Sequence, residues 1–67
     1  MSNAATDAMF AAAAYKNHKQ SEADALAYLA RPGLTDFQRS VARDILEAAR
    51  EGKERARRAY NTYRPIR

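Results

Sequence analysis

Lys16-Asn17-His18-Lys19-Gln20-Ser21-Glu22 runs seven residues without an apolar side chain, and the number of helices in this protein turns on it. A helix buried on one face brings an apolar residue inward about once per turn, so two polar turns predict a break or an exposed segment there. N-terminal to the run, Thr6 followed by Asp7 makes an N-cap with an acid in the first turn. It opens a first helix through Met9, Phe10 and the run Ala11 to Ala14. C-terminal to the run, Ser21 with Asp24 three residues on caps a second helix carrying Ala25, Leu26, Tyr28 and Leu29.

Arg31-Pro32-Gly33 ends that second helix. Residues before Pro avoid the helical region, and Gly supplies a left-handed turn. Thr35 with Gln38 three residues later is a capping box, and it opens the longest element, from Asp36 to about Tyr60 or Tyr63. Phe37, Val41, Ile45 and Ala48 fall on one helical stripe flanked by Leu34 and Leu46, which predicts a core-facing surface. The expected fold is all-α. It is a small three-helix module, residues 1–67 as a single domain, with two short N-terminal helices packed on a long C-terminal helix. The alternative runs one helix straight through Lys16–Glu22 and gives a two-helix α-hairpin closing at Pro32-Gly33. There Ala11 to Ala14 would lie against Ala49, Gly52 and Ala56 in a close small-residue seam.

Lengths separate the two. At about 1.5 Å per residue the C-terminal helix spans roughly 37 to 42 Å, while two short helices of about 14 to 18 Å cover it only as far as Ala48 or Ala49. With three helices, residues 50–67 project as a basic arm and tail. Residues 1–5 read as a disordered N-terminus, and Met1-Ser2-Asn3-Ala4 carries no weight.

The composition is high in helix formers and thin in bulky apolar residues. Ala accounts for 16 residues, while only 11 are Leu, Ile, Val, Met or Phe. A chain of 67 residues with so few large side chains has little margin over conformational entropy, so help from outside the monomer is expected. There is no cysteine, hence no disulfide and no thiolate metal site, and a cytoplasmic setting is the default. No stretch is long and apolar enough to span a bilayer. Nothing basic precedes Met9–Tyr15, as it would in a secretory signal, so the chain reads as soluble and unprocessed.

The charge is uneven. Residues 1–49 carry five bases and six acids, whereas residues 50–67 carry seven bases and two acids, so the whole net +4 comes from the last quarter. Arg50, Lys53, Arg57, Arg58 and Arg64, with Tyr60 and Tyr63 among them, are the candidate partner- or nucleic-acid-binding residues. Arg offers planar donors to phosphate or carboxylate, and Tyr offers a stacking face. Beside this stands a plainer account, a solvated helix end held by the i,i+4 pairs Glu51–Arg55 and Glu54–Arg58. The apolar run with Phe10, Ala12 and Ala13 is the candidate self-association surface. Gly52 inside a helix costs about 1 kcal/mol relative to Ala, and it either admits a close neighbour or hinges the arm.

Chemistry-bearing groups are sparse. His18 and Glu22 form one i,i+4 pair, and two ligands make no structural or catalytic zinc site. Asp44, Glu47 and Glu51 line an acidic stripe with Arg43, Arg50 and Arg55 in reach, which reads as surface ion pairs. Ser2, Ser21 and Ser40 sit in no nucleophile motif, and Gly33 and Gly52 form no phosphate loop. The expectation is therefore no enzyme, no cofactor and no metal.

Three functional classes remain. First is a non-enzymatic adaptor or inhibitor docking its basic helical surface onto an anionic site, with an acidic protein surface or nucleoprotein complex as partner. Second is a nucleic-acid binder using the C-terminal arm. Third is a structural subunit of a larger assembly such as a viral particle or ring, a homo-oligomer with no membrane involved. A helix-turn-helix with its recognition helix opening at Thr35 is disfavoured, since Asp36 and Phe37 suit a base-reading position poorly.

Overall fold

Two long helices make up the described part of the protein. The computed structural model describes residues 3–63, and within them α1 spans Ala4–Leu29 and α2 spans Asp36–Tyr63. They pack antiparallel into a rod 50 Å long and 15 Å across. The protein is all-α, and the hairpin alternative replaces the three-helix arrangement. The segment from Arg50 to Tyr63 is thereby not a projecting arm, because α1 is long enough to lie beside it.

α1 begins earlier than Thr6. The Asn3 side chain accepts from the backbone N–H groups of Ala5 at 2.9 Å and Thr6 at 3.4 Å, and its carbonyl accepts from Asp7 N–H at 2.9 Å. Asn caps better than Thr, and starting there adds Ala4 and Ala5 to the helix. Of the stretch 1–5, residues 3–5 thus lie in the cap and first turn, and residues 1 and 2 fall outside the described residues. The C-terminal end and the turn follow the sequence. Gly33 takes φ of +77°, a conformation that favours glycine, and the Arg31 guanidinium sits 5.3 Å over the Tyr28 ring. The capping box at Thr35 is reciprocal. Thr35 N–H donates to Gln38 Oε1 at 2.9 Å, and Gln38 N–H donates to Thr35 Oγ1 at 3.1 Å.

The polar run does not break α1, for a reason visible in which residues face the partner helix. Ala8, Ala11, Tyr15, His18, Glu22 and Ala25 of α1 are buried or half-buried and alternate in steps of three and four, the spacing of an antiparallel two-helix seam, with Asp7, Ala14, Tyr28 and Leu29 half-buried beside them. Only His18 and Glu22 of the polar run belong to that seam, and both are met from across it. Gly52 gives His18 room: a Cβ at Gly52 would lie 2.5 to 2.7 Å from three atoms of the imidazole. Glu22 is met by Arg50 and Lys53. The other residues of the run face away, and Gln20 adds an i,i+4 hydrogen bond to Asp24 at 2.9 Å.

On α2 the seam is made of Ala42, Ala49 and Ala56, seven residues apart, with Gly52 between. Among the described residues every buried apolar one is an Ala. Small side chains let the backbones approach closely, so the helices meet along their length without large residues between them. The expectation that Phe37, Val41, Ile45 and Ala48 face the core is overturned. Phe37 is 78% exposed, Ile45 is 50% exposed, and Val41 and Ala48 are exposed too. Their stripe lies beside the seam, and a two-helix hairpin has no third layer to cover it. Leu34 and Leu46 are half-buried.

Candidate functional site

The two sides of the hairpin differ in chemistry. On one side of α2, Arg39, Arg43, Leu46, Arg50, Lys53, Arg57 and Tyr60 recur in steps of four and three, so they form one continuous stripe. Its cations extend over roughly 27 Å at 1.5 Å per residue. Lys19 of α1, one turn from Glu22, joins the same side.

Part of this charge is held internally. Glu22, whose side chain is 18% exposed, accepts from Arg50 Nε at 3.1 Å and from Lys53 Nζ at 2.8 Å. The hydrogen bond from Lys53, then that from Arg50, hold the Glu22 carboxyl below its ordinary value, and the same bond raises the Lys53 ammonium. Farther along, Glu54 pairs with Arg57 at 2.5 Å and with Arg58 at 3.5 Å, and the Arg57 bond lowers the Glu54 carboxyl. Glu54–Arg58 forms as its spacing suggests. Glu51–Arg55 is not among the ion pairs of the described residues, nor are Arg39, Arg43 and Lys19.

Of the residues singled out from sequence, Arg50, Lys53, Arg57 and Tyr60 come together on the stripe. Arg58 lies about 100° round the helix from Arg57. Tyr63 continues the seven-residue series of Ala42, Ala49 and Ala56 to the open end of the hairpin, where it is exposed. Arg64 lies outside the described residues. Arg39 and Arg43 belong to the stripe and were not singled out, because counting charge by quarter of chain hides them. The 4-3-4-3 spacing was the available signal.

On the opposite side an open groove of about 500 Å³ lies near the turn. Ser21, Asp24, Ala25 and Tyr28 of α1 line it with Phe37, Val41 and Ile45 of α2. Ser21, expected to cap a helix, is thus a groove residue within α1. Of the suggested self-association residues, Phe10 is 66% exposed and sits on the groove side, fourteen residues from Asp24. Ala12 is exposed on the other flank of α1, whereas exposed Ala13, eleven residues from Asp24, falls on the groove side with Phe10. Glu22 turns to Arg50 and Lys53 and His18 lies over Gly52, so this i,i+4 pair is built into the helix seam. No helix is long and apolar enough to cross a membrane among the described residues.

The chain matches no protein-family model, and neither the curated proteins nor the solved structures offer a match.

Proposed function

We propose that this is a non-enzymatic binding protein, an adaptor or inhibitor, that docks its basic flank onto an anionic site of a larger protein or nucleoprotein complex. The observation that supports this reading is the stripe from Arg39 to Tyr60, with five cations, one Leu, one Tyr and no acid. Arg39 and Arg43 have no ion-pair partner among the described residues, so they offer their guanidinium donors without first losing a carboxylate. Half-buried Leu46 beside them adds an apolar contact suited to a protein surface. Arg50 and Lys53 stay fixed by Glu22, and there the flank is preorganised. A cytoplasmic setting belongs to the same proposal.

Single-stranded nucleic acid is the second reading, and Tyr60 next to Arg57 on the stripe favours it, since bases stack on aromatic faces between phosphate contacts. Fluorescence anisotropy separates the two. A labelled polyglutamate peptide and single-stranded and duplex oligonucleotides are titrated at about 150 mM salt, where weak nonspecific binding to nucleic acid largely falls away. Docking to an acidic protein predicts saturable binding of the peptide, lost in the Arg39→Glu/Arg43→Glu variant with helicity by circular dichroism unchanged. Tight oligonucleotide binding with a steep salt slope transfers the function to nucleic acid. Binding to neither probe, or binding indifferent to the double substitution, sinks the basic-flank reading.

A further inference from the structure

We propose that the apolar side of the hairpin takes a second copy of this chain, packed face to face and antiparallel, so that the working unit is a four-helix dimer. The proposal is independent of the basic flank, which lies on the other side.

The first ground is the distribution of apolar residues. No large apolar side chain is fully buried in the hairpin, while Phe10, Phe37, Val41 and Ile45 all stand on one side and remain exposed. A chain of this size with an Ala-only seam has little else to draw on, and association is one of the few ways such a scaffold gains a core. The second ground is area. A rod 50 Å by 15 Å presents a side whose flat outline is about 750 Å², room enough for the ~800 Å² of accessible surface per partner in a standard specific interface. Only a partner running the whole length of the hairpin uses it all, and a second copy has that length.

The third ground is charge, and it selects the orientation. Val41, Ile45, Ala48, Arg55 and Ala59 share one side of α2, next to the seam position Gly52. Asp24 lines the groove and Asp44 stands in the same half, one heptad from Phe37, while Arg55 stands in the other half together with Glu51. Asp44 and Arg55 are equally far from the midpoint of α2 (Asp36–Tyr63). A two-fold axis across the middle of the rod, lying in the interface, places α2 over α2 antiparallel and sets each Asp44 against the partner's Arg55. It also carries Phe10 to the inner end of the partner's groove, near Asp24 and Ile45. A two-fold axis along the rod would instead bring Asp24 against the partner's Asp44, like charge on like. Isologous contacts of the first kind are made twice and close the assembly at two copies.

Sedimentation equilibrium on the intact chain tests this, loaded from about 1 to 500 µM to span the range in which an interface of this size commonly associates. The expected mass is twice 7.5 kDa at the upper end, falling toward 7.5 kDa on dilution. Val41→Asp and Phe10→Asp, both at exposed positions, are expected to raise the dissociation constant at least tenfold with helicity retained, whereas Ala12→Asp, on the other flank of α1, leaves it unchanged. Asp44→Arg and Arg55→Asp should each weaken the dimer, and together restore it. A mass of 7.5 kDa at every concentration overturns the proposal, whatever the anisotropy experiment gives. Dissociation by Ala12→Asp but not by Phe10→Asp or Val41→Asp moves the interface to the other flank of α1 and overturns it too. Failure of the paired charge swap to restore association overturns the antiparallel arrangement.

Discussion

In the seam between the helices the buried side chains are the smallest the chain has, and on the side next to it the exposed ones are the largest. Ala8, Ala11, Ala25, Ala42, Ala49 and Ala56 are shut away, while Phe10, Phe37, Val41 and Ile45 face outward. This inverts the ordinary arrangement of a small domain, in which bulky residues go inside because burial gains scale with area. Two consequences follow. The hairpin is held by close approach rather than by buried volume, so it tolerates no growth in the seam. The face beside it carries the exposed Phe10, Phe37, Val41 and Ile45, which contribute little until something covers them.

Enlarging the seam should therefore have the largest effect. Ala49→Leu inserts three carbons where the helices touch and is expected to cost about 1–3 kcal/mol, a large part of what a chain this short can hold. Urea unfolding followed by circular dichroism reads it, and a neutral result would mean that the helices have slack. Gly52 gives a more pointed test. Its replacement by Ala gains about 1 kcal/mol of helix propensity, but only after the His18 ring leaves the space the new Cβ takes. Gly52→Ala should thus stabilise the His18→Ala protein by about that amount and the parent by clearly less. Equal gains in both backgrounds would show that His18 does not hold the close contact.

How far these features could be read from the chain depends on what each one rests on. The turn at Pro32-Gly33 and the Thr35–Gln38 cap are local chemistry, and they stand where the residues place them. Lys16–Glu22 is different. Its continuity depends on Gly52, Arg50 and Lys53, some thirty residues away, and periodicity within the run cannot register partners it does not contain. A related limit affects Phe37, Val41 and Ile45: helical spacing shows that they share a face, but does not choose between that face and the Ala49, Gly52 and Ala56 seam that the hairpin reading sets beside it. The basic site was half legible. Arg50, Lys53 and Arg57 stand out by density, while Arg39 and Arg43 show only in the 4-3-4-3 spacing along the whole of α2, which counting charge by quarter of chain hides.

The exposed side of the comparison is expected to be quieter, and conditional. Phe37→Ala should change stability by no more than about 0.5 kcal/mol at the lowest usable concentration, as substitutions at open surface positions do. Its cost should then grow as protein concentration rises, because an interface stabilises by mass action and the seam does not. A concentration-independent loss as large as that of Ala49→Leu would erase the contrast between the two regions.

The smallest expected effect lies at the edge of the seam, in the acid limb of the stability curve. Hydrogen bonds from Lys53 and Arg50 hold the Glu22 carboxyl below its ordinary 4.5, so the folded state binds that proton less readily than the unfolded chain does. Such a group adds stability above the unfolded value, and loses it as pH falls through the lowered folded one. Glu54, lowered by Arg57, acts in the same direction. Stability should therefore decline as pH drops below about 4.5. In Glu22→Gln the decline should be shallower, with the remaining slope carried in part by Glu54. The raised Lys53 ammonium makes the mirror contribution, present below the ordinary 10.5 and lost as pH rises through the higher folded value. Because Glu22 is met by two cations from the other helix while Glu54 is met only within its own, Glu22→Gln should flatten the acid limb more than Glu54→Gln does. The opposite order would mean that the ion pairs brace α2 alone and add nothing to the contact between helices.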